Sequence, residues 1–295
     1  MSLYLCRKCI LLNAFLRYLY KINIYMKRLF SLFLILILIA GCLSSCKKDK
    51  GSPPALPPAE SMSIDFSNFT SGKKSSDFVS DSKGIEDSHY QFAVIVAGIW
   101  NLIINTTLIV PVTSFKLAEN QTPVYLDDKT WQWSYNVTVA GSAYSARLTG
   151  QIRESDVLWK MYISKTGTGA FTDFLWYEGT SKIDGTGGEW KLYQSSTVPV
   201  ELLQIKWTKE GTSIGTIKYT YLKNDSYKNN FIEYGLKNSP PYNAYYTIQY
   251  FNGTKVSNVS VEWNTTTFKG RVMCPEYLLG TWYCWDDKKT NSICP

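Results

Sequence analysis

Side chains able to carry chemistry are few and widely spaced in this sequence. His89 is the single histidine, so any Ser-His-Asp or Cys-His arrangement would have to use it. No G-x-S-x-G turn is present to expose a nucleophile. His89 reads instead as a residue of a first helical turn. Two carboxylates suffice for glycoside hydrolysis without histidine, and Asp173, Glu178 and Glu189 flank the aromatic stretch from Phe174 to Tyr177. They are the candidates for a carboxylate-dependent glycan hydrolase; otherwise they are solvated charges on strand faces or turns. The run Asp184-Gly185-Thr186-Gly187-Gly188 holds one acid where a cation loop needs several oxygen ligands, and it reads as a hairpin turn. No catalytic residue, metal ligand or cofactor is assigned.

Cys274, Cys284 and Cys294 stand ten residues apart near the end of the chain, which is not a zinc-finger spacing. Outside the reducing cytosol such thiols oxidise, and the expected bridge is Cys284–Cys294, closing the tail onto the strand before it. Tryptophan is the other conspicuous residue. Trp131, Trp133, Trp159, Trp176, Trp190 and Trp207 fall in successive apolar runs. Turned inward they build a core. At the mouth of an open barrel, Trp131, Trp133, Trp159 and Trp176 would stack on sugar rings or apolar ligands.

The location is written at the N-terminal end. Met26-Lys27-Arg28 precedes an apolar run from Leu29 to Ala40 interrupted only by Ser31, the charge and length pattern of a secretory signal. The run is too short to span a bilayer, which takes about 20 apolar residues. It ends in Leu38-Ile39-Ala40-Gly41-Cys42, which resembles a bacterial lipobox, and Leu43-Ser44-Ser45-Cys46 follows as a second candidate. Lipidation is expected at Cys42, with Cys46 as the alternative. Residues 1–25 read as an over-called extension before Met26, and Cys6-Arg7-Lys8-Cys9 within it is a lone C-x-x-C with no partner pair. Residues 26–41 are then the signal peptide and 42–62 a Pro-rich tether. The expected address is the cell envelope, at the outer membrane, with the attached lipid as the membrane contact.

Charge removes nucleic acid as a partner. The chain carries 31 Lys+Arg against 24 Asp+Glu, a net of +7. Six of those cations, and no acid, lie before Ser45, so the processed protein keeps 25 cations and 24 acids, a net of +1.

Residues 63–295 read as one β-rich domain. Ile64, Phe66 and Phe69 form an apolar cluster suited to an edge strand. Ser88 and Gln91 make an S-x-x-Q capping box before an apolar run, predicting a helix over 89–105 that is apolar on nearly all faces and therefore buried; a pair of buried strands is the alternative. From about Leu108 the period becomes two. Trp131–Val139, Tyr144–Ile152 and Val157–Ser164 alternate apolar and polar residues, and eight further runs follow up to Met273, separated by Gly- and Asn-containing turns. This predicts an antiparallel meander of roughly 10–12 strands, forming a barrel-like or sandwich domain with the helix buried near its N-terminal end. A membrane-spanning barrel is opposed by the lipobox and by the ending Ile293-Cys294-Pro295.

The stretches Trp131–Tyr135, Leu158–Ile163, Phe174–Gly179 and Asp184–Trp190, with the signal region, are similar to uncharacterised Bacteroidetes-type β-rich lipoproteins. The resemblance implies an envelope location and an antiparallel β fold, and it carries over no functional residue. The expected role is a lipid-anchored, non-enzymatic binding or envelope-interaction module, with a glycan or an envelope protein as partner. Alternatives are a lipocalin-like binder of a glycan or apolar molecule and the hydrolase above.

Overall fold

Strict alternation of apolar and polar residues can satisfy both solvent and core only as a pleated strand, and the chain obeys it for most of its length. The computed structural model describes residues 17–18, 20–21, 50–64, 66–70, 88–251, 253–276 and 280–295. The lipidation candidates Cys42 and Cys46, the signal segment 26–41 and Cys6 and Cys9 lie outside the described residues. The chain divides into two units, Met1–Lys50 and Gly51–Pro295. In the first, residues 17–18 and 20–21 are helical; everything below concerns the second.

Its strands are β1 (Val124–Tyr125), β2 (Thr130–Val139), β3 (Ser142–Ile152), β4 (Asp156–Lys165) and β5 (Phe171–Lys182). β6 (Gly187–Tyr193), β7 (Glu201–Glu210), β8 (Ser213–Tyr221), β9 (Phe231–Ser239) and β10 (Tyr242–Phe251) follow. β11 (Val256–Trp263), β12 (Gly270–Met273), β13 (Tyr283–Trp285) and β14 (Asn291–Ser292) complete them. All 14 join in sequence order into one antiparallel sheet. The expected meander is present, extended by short terminal strands that alternation cannot reveal at two or three residues. The sheet does not close into a barrel: its edges are β1 and β14. Two-residue edge strands offer little free backbone to another sheet.

Inward positions carry the bulk. Trp159, Trp190, Trp207, Trp263, Trp285, Tyr177, Tyr219, Tyr246, Phe69 and Phe115 are fully buried. Indoles of this size fit because glycine lies opposite them on the neighbouring strand: Gly150 pairs with Trp159, Gly179 with Trp190, Gly188 with Trp207, and Gly270 with Trp285. A Cβ on Gly179 would stand 2.2 Å from the Glu189 carbonyl oxygen and 2.5 Å from the Trp190 ring. Outward positions are polar. One row runs Glu189, Lys206, Lys218, Glu233, Thr247 and Ser260 across successive strands, with ion pairs Lys206–Glu189 at 3.9 Å and Lys218–Glu233 at 3.5 Å. A polar outer face is the reverse of the lipid-facing band of a transmembrane barrel.

Two helices precede the sheet, α1 (Ser67–Thr70) and α2 (His89–Ala118). Ile64, Phe66 and Phe69, expected in an edge strand, instead flank or occupy the single turn α1 and are buried. The Ser88 half of the capping box is in place: its hydroxyl accepts from the Gln91 amide at 3.2 Å. α2 runs 13 residues beyond its expected end at 105, through Pro111, so the change of period placed near Leu108 is corrected to follow Ala118. Burial of Leu108, Val110, Phe115 and Ala118 overrides the breaking tendency of Pro111 and the β-branched residues around it. The helix bends by 61° between His89–Ile104 and Thr106–Ala118. Thr106 and Thr107 donate back to the carbonyls of Leu102, Ile103 and Ile104, and Pro111 supplies no N–H, both of which bend helices. Among the described residues no single helix is long and apolar enough to cross a membrane.

The two ends of α2 touch opposite ends of the meander. At its start the His89 amide donates to Asn291 and the His89 ring meets the Cys284 carbonyl at 3.1 Å. In its second half the Ser114 carbonyl accepts from the Tyr135 hydroxyl on β2.

The Pro-rich tether is shorter than expected. Pro54 and Pro57 are buried, and a 3-10 turn, Ala59–Met62, packs against β7, β8 and α2. The buried Ser61 hydroxyl accepts from Trp190 Nε1 at 3.1 Å. Proline cannot join a sheet ladder, but its ring packs on apolar surface, so residues from Gly51 onward belong to the domain.

These contacts give three stability predictions, all read by chemical denaturation. Ser61→Ala leaves the Trp190 N–H buried without a partner and costs about 1–3 kcal/mol. Ser114→Ala removes a buried hydroxyl that has no hydrogen-bond partner and is neutral or stabilising. Gly179→Ala forces Trp190 or the β6 backbone aside and costs about 1–3 kcal/mol.

Candidate functional site

A helix that is apolar on all faces should be covered on all faces, and α2 is not. Ile99 is 46% exposed although the residues on either side of it on the helix, Gly98 and Trp100, are buried. The uncovered face forms one wall of a groove of about 550 Å³. Val96, Ile99, Trp100 and Ile103 line it from the helix. Tyr221, Tyr227, Ile248, Tyr250 and Phe251 line it from β8, β10 and the loop after β8, with Asn230 and Gly253 at its edge. Among the described residues no Lys, Arg, Asp, Glu or His lines it.

The wall opposite the helix is held in place by local bonds. The Tyr221 hydroxyl donates to Asp225 at 2.9 Å, and Asp225 also accepts from the Tyr227 amide at 2.9 Å. The Tyr227 and Phe251 rings meet edge to face with centroids 6.2 Å apart. Burial, and then the hydrogen bond to Asp225, raises the Tyr221 hydroxyl to about 12, so it stays a neutral donor at ordinary pH. The groove is thus apolar in its walls, uncharged, and carries polar atoms only as hydroxyl and amide groups.

The four tryptophans considered for ligand stacking divide. Trp159 and Trp133 are buried, their rings 5.8 Å apart, and Trp159 Nε1 donates to Ser181 at 2.9 Å; both are core, with no face left for a ligand. Trp131 is half-buried, edge-on to Tyr125 at 5.3 Å. Trp176 is half-buried at a bulge of β5, in a trio with Phe171 and Phe174 whose centroids lie 5.7–6.1 Å apart. None of the four lines the groove.

The three carboxylates divide as well. Asp173 sits at φ 53° beside the bulge and accepts two bonds from Arg147, at 2.7 and 2.8 Å, while Arg147 lies over the Tyr162 ring. Glu178 and Glu189 are diagonal neighbours on the outer face of β5 and β6. Glu178 accepts from the Tyr193 hydroxyl at 2.8 Å and Glu189 from Gln204 at 3.2 Å. They are therefore brought together, but on an open, charge-paired face, with Asp173 apart from them. Asp184 caps its own hairpin, accepting from the Thr186 hydroxyl and amide, which hold its carboxyl below the usual range.

The Cys284–Cys294 disulfide is formed as expected, and Cys274 is buried outside any disulfide, its Sγ 3.5 Å from a Glu276 carboxylate oxygen. His89, at the helix start, packs on Tyr283 at 4.9 Å and fastens this C-terminal loop to α2. Among the described residues no three His, Cys, Asp or Glu side chains gather to hold a metal ion. No protein-family model, curated protein or solved structure matches the chain.

The groove residues escaped sequence reading because they come from three separated segments and are mostly ordinary apolar types. The available signal was the all-round apolarity of α2, which exceeds what one sheet face can cover.

Several tyrosines place their hydroxyls in or against the core. Burial holds Tyr177 and Tyr219 far above the ordinary tyrosine value of about 10, and Tyr135 likewise. An acid whose folded value is raised contributes stability that is complete below its unfolded value and is lost as pH rises beyond it. Stability is therefore expected to fall steeply above about pH 10. Tyrosinate absorbance should show a late-titrating group of tyrosines whose ionisation coincides with unfolding, and Tyr177→Phe should flatten the decline.

Proposed function

We propose that this protein is a lipid-anchored, non-enzymatic binding module of the cell envelope, tethered at the outer membrane through acylated Cys42, or Cys46 in its place. The observation that carries the binding role is the uncharged apolar groove beside Ile99, in a body whose interior is otherwise filled by aromatic side chains. A contiguous exposed apolar concavity costs solubility unless it is used. The lipocalin-like reading changes with it: a ligand has no room on the inner face of the sheet, where the indoles and α2 pack, and is received on the flank of the helix.

The anchor rests on the signal and lipobox of the sequence. The docking of residues 51–62 leaves eight residues, 43–50, between Cys42 and the body, so the separation is at most roughly 25 Å at ~3.1 Å per residue. The body therefore works close to the lipid surface, and an envelope protein or glycan remains within reach of its polar outer face. The hydrolase alternative finds no support in the placement of Asp173, Glu178 and Glu189, each of which is engaged with neighbours on an open surface.

Metabolic labelling with an alkyne analogue of palmitate tests the anchor. Label is expected on the wild-type protein and on Cys46→Ala, and is lost from Cys42→Ala; loss from Cys46→Ala alone moves the site by four residues. A processed protein that carries no label refutes the anchor.

A further inference from the structure

We infer that the groove between α2 and the β8–β10 side of the sheet receives a neutral acyl lipid, with its chain along the Ile99 wall and its uncharged head at the tyrosine and asparagine rim. Three features of the lining select this class. The helix wall, Val96, Ile99 and Ile103, is aliphatic, and the facing wall, Tyr221, Tyr227 and Phe251, is aromatic, so the slot is apolar on both sides. Its volume of about 550 Å³ falls within the range of small-molecule sites. Among the described residues its lining has no charged side chain, so a carboxylate or phosphate drawn into it would lose water without gaining a counter-charge from them, a larger cost than for an uncharged polar group. An ester, amide or hydroxyl head loses far less and can bond to the Asn230 amide or a tyrosine hydroxyl.

The exposure of the site fits an occupant rather than a folding defect. Ile99 and Tyr227 are 46% and 52% exposed, and they stand on opposite walls of the same groove. Trp100, buried at 3% exposure, lines the groove from the same helix. The choice of a lipid over other apolar molecules rests on the proposed membrane tether, which holds the body where acyl lipids are most concentrated.

Trp100 makes the site measurable. The mature chain from Cys42 onward, carrying Cys42→Ala and Cys46→Ala so that no lipid is attached, is titrated with a monoacylglycerol bearing a dibrominated chain, below its aggregation concentration. Bromine quenches a nearby indole. Saturable quenching of a small fraction of the emission is expected, because Trp100 is one of 10 tryptophans, and the quenching disappears in Trp100→Phe. Ile99→Glu, at an exposed position, should weaken binding about ten-fold or more by placing an unpaired carboxylate in the slot; Tyr227→Ala, on the other wall, should weaken it too, and thermal melts establish that both variants fold. The brominated fatty acid, ionised, should bind about ten-fold more weakly than the glyceride.

Quenching that does not saturate, or that survives both Ile99→Glu and Tyr227→Ala, overturns the site. Equal affinity for the ionised fatty acid overturns the neutral head. A concentration-dependent dimer that Ile99→Glu dissolves, without quenching by the glyceride, assigns the groove to a second copy of the chain and overturns the lipid. Because the titrated chain carries no anchor, these results stand apart from the labelling experiment.

Discussion

Indole rings laid over cross-strand glycines are the constraint on which this fold depends. A sheet of 14 antiparallel strands presents a wide apolar face, and aliphatic side chains alone would fill it shallowly. Pairing Trp159 with Gly150, Trp190 with Gly179, and Trp207 with Gly188 lets each ring lie flat across its neighbour strand. The layer that results is thick enough to meet α2 directly. Phe115 of the helix packs edge to face on Trp190 at 5.4 Å and on Tyr177 at 6.4 Å. The same arrangement leaves polar ends behind: the indole nitrogens of Trp207 and Trp263 are buried with no hydrogen-bond partner. Size, rather than hydrogen bonding, decides these positions.

The helix follows from the sheet. Because β1 and β14 do not pair, the fold needs another way to hold its ends, and α2 reaches from the Cys284–Cys294 loop to β2. Spanning that distance takes both halves of the helix and the bend between them. It also leaves part of an apolar rod without cover, so the groove beside Ile99 arises from the geometry that joins the sheet ends. Structure and candidate site have one cause.

Much of this was legible in the residues, for identifiable reasons. Alternation located β2 to β12, and the Ser88–Gln91 box located the start of α2, because both patterns report local backbone geometry. The end of α2 was not legible: Pro111 and the β-branched residues around it argue for a break, and only burial against the sheet overrides them. Pro54 and Pro57 mark a tether by composition, yet they dock, since proline is excluded from ladders but not from packing. Trp133 and Trp159 could be read as core or as binding platform, and the period of two cannot say whether the inner side of a sheet is filled. The groove was hidden because contact between residues 96–103, 221–230 and 248–253 is made by topology alone.

The clasp between His89 and the tail has a temporal side. The helix precedes the sheet in the chain, yet the groups that bind its first turn, the Cys284 carbonyl and the Asn291 side chain, come 195 and 202 residues after His89. Contacts this distant in sequence form slowly, because loop closure must precede them. A chain synthesised only as far as β12 therefore lacks the strands that clasp the start of α2, and that end of the aromatic layer closes only once β13 and β14 are in place.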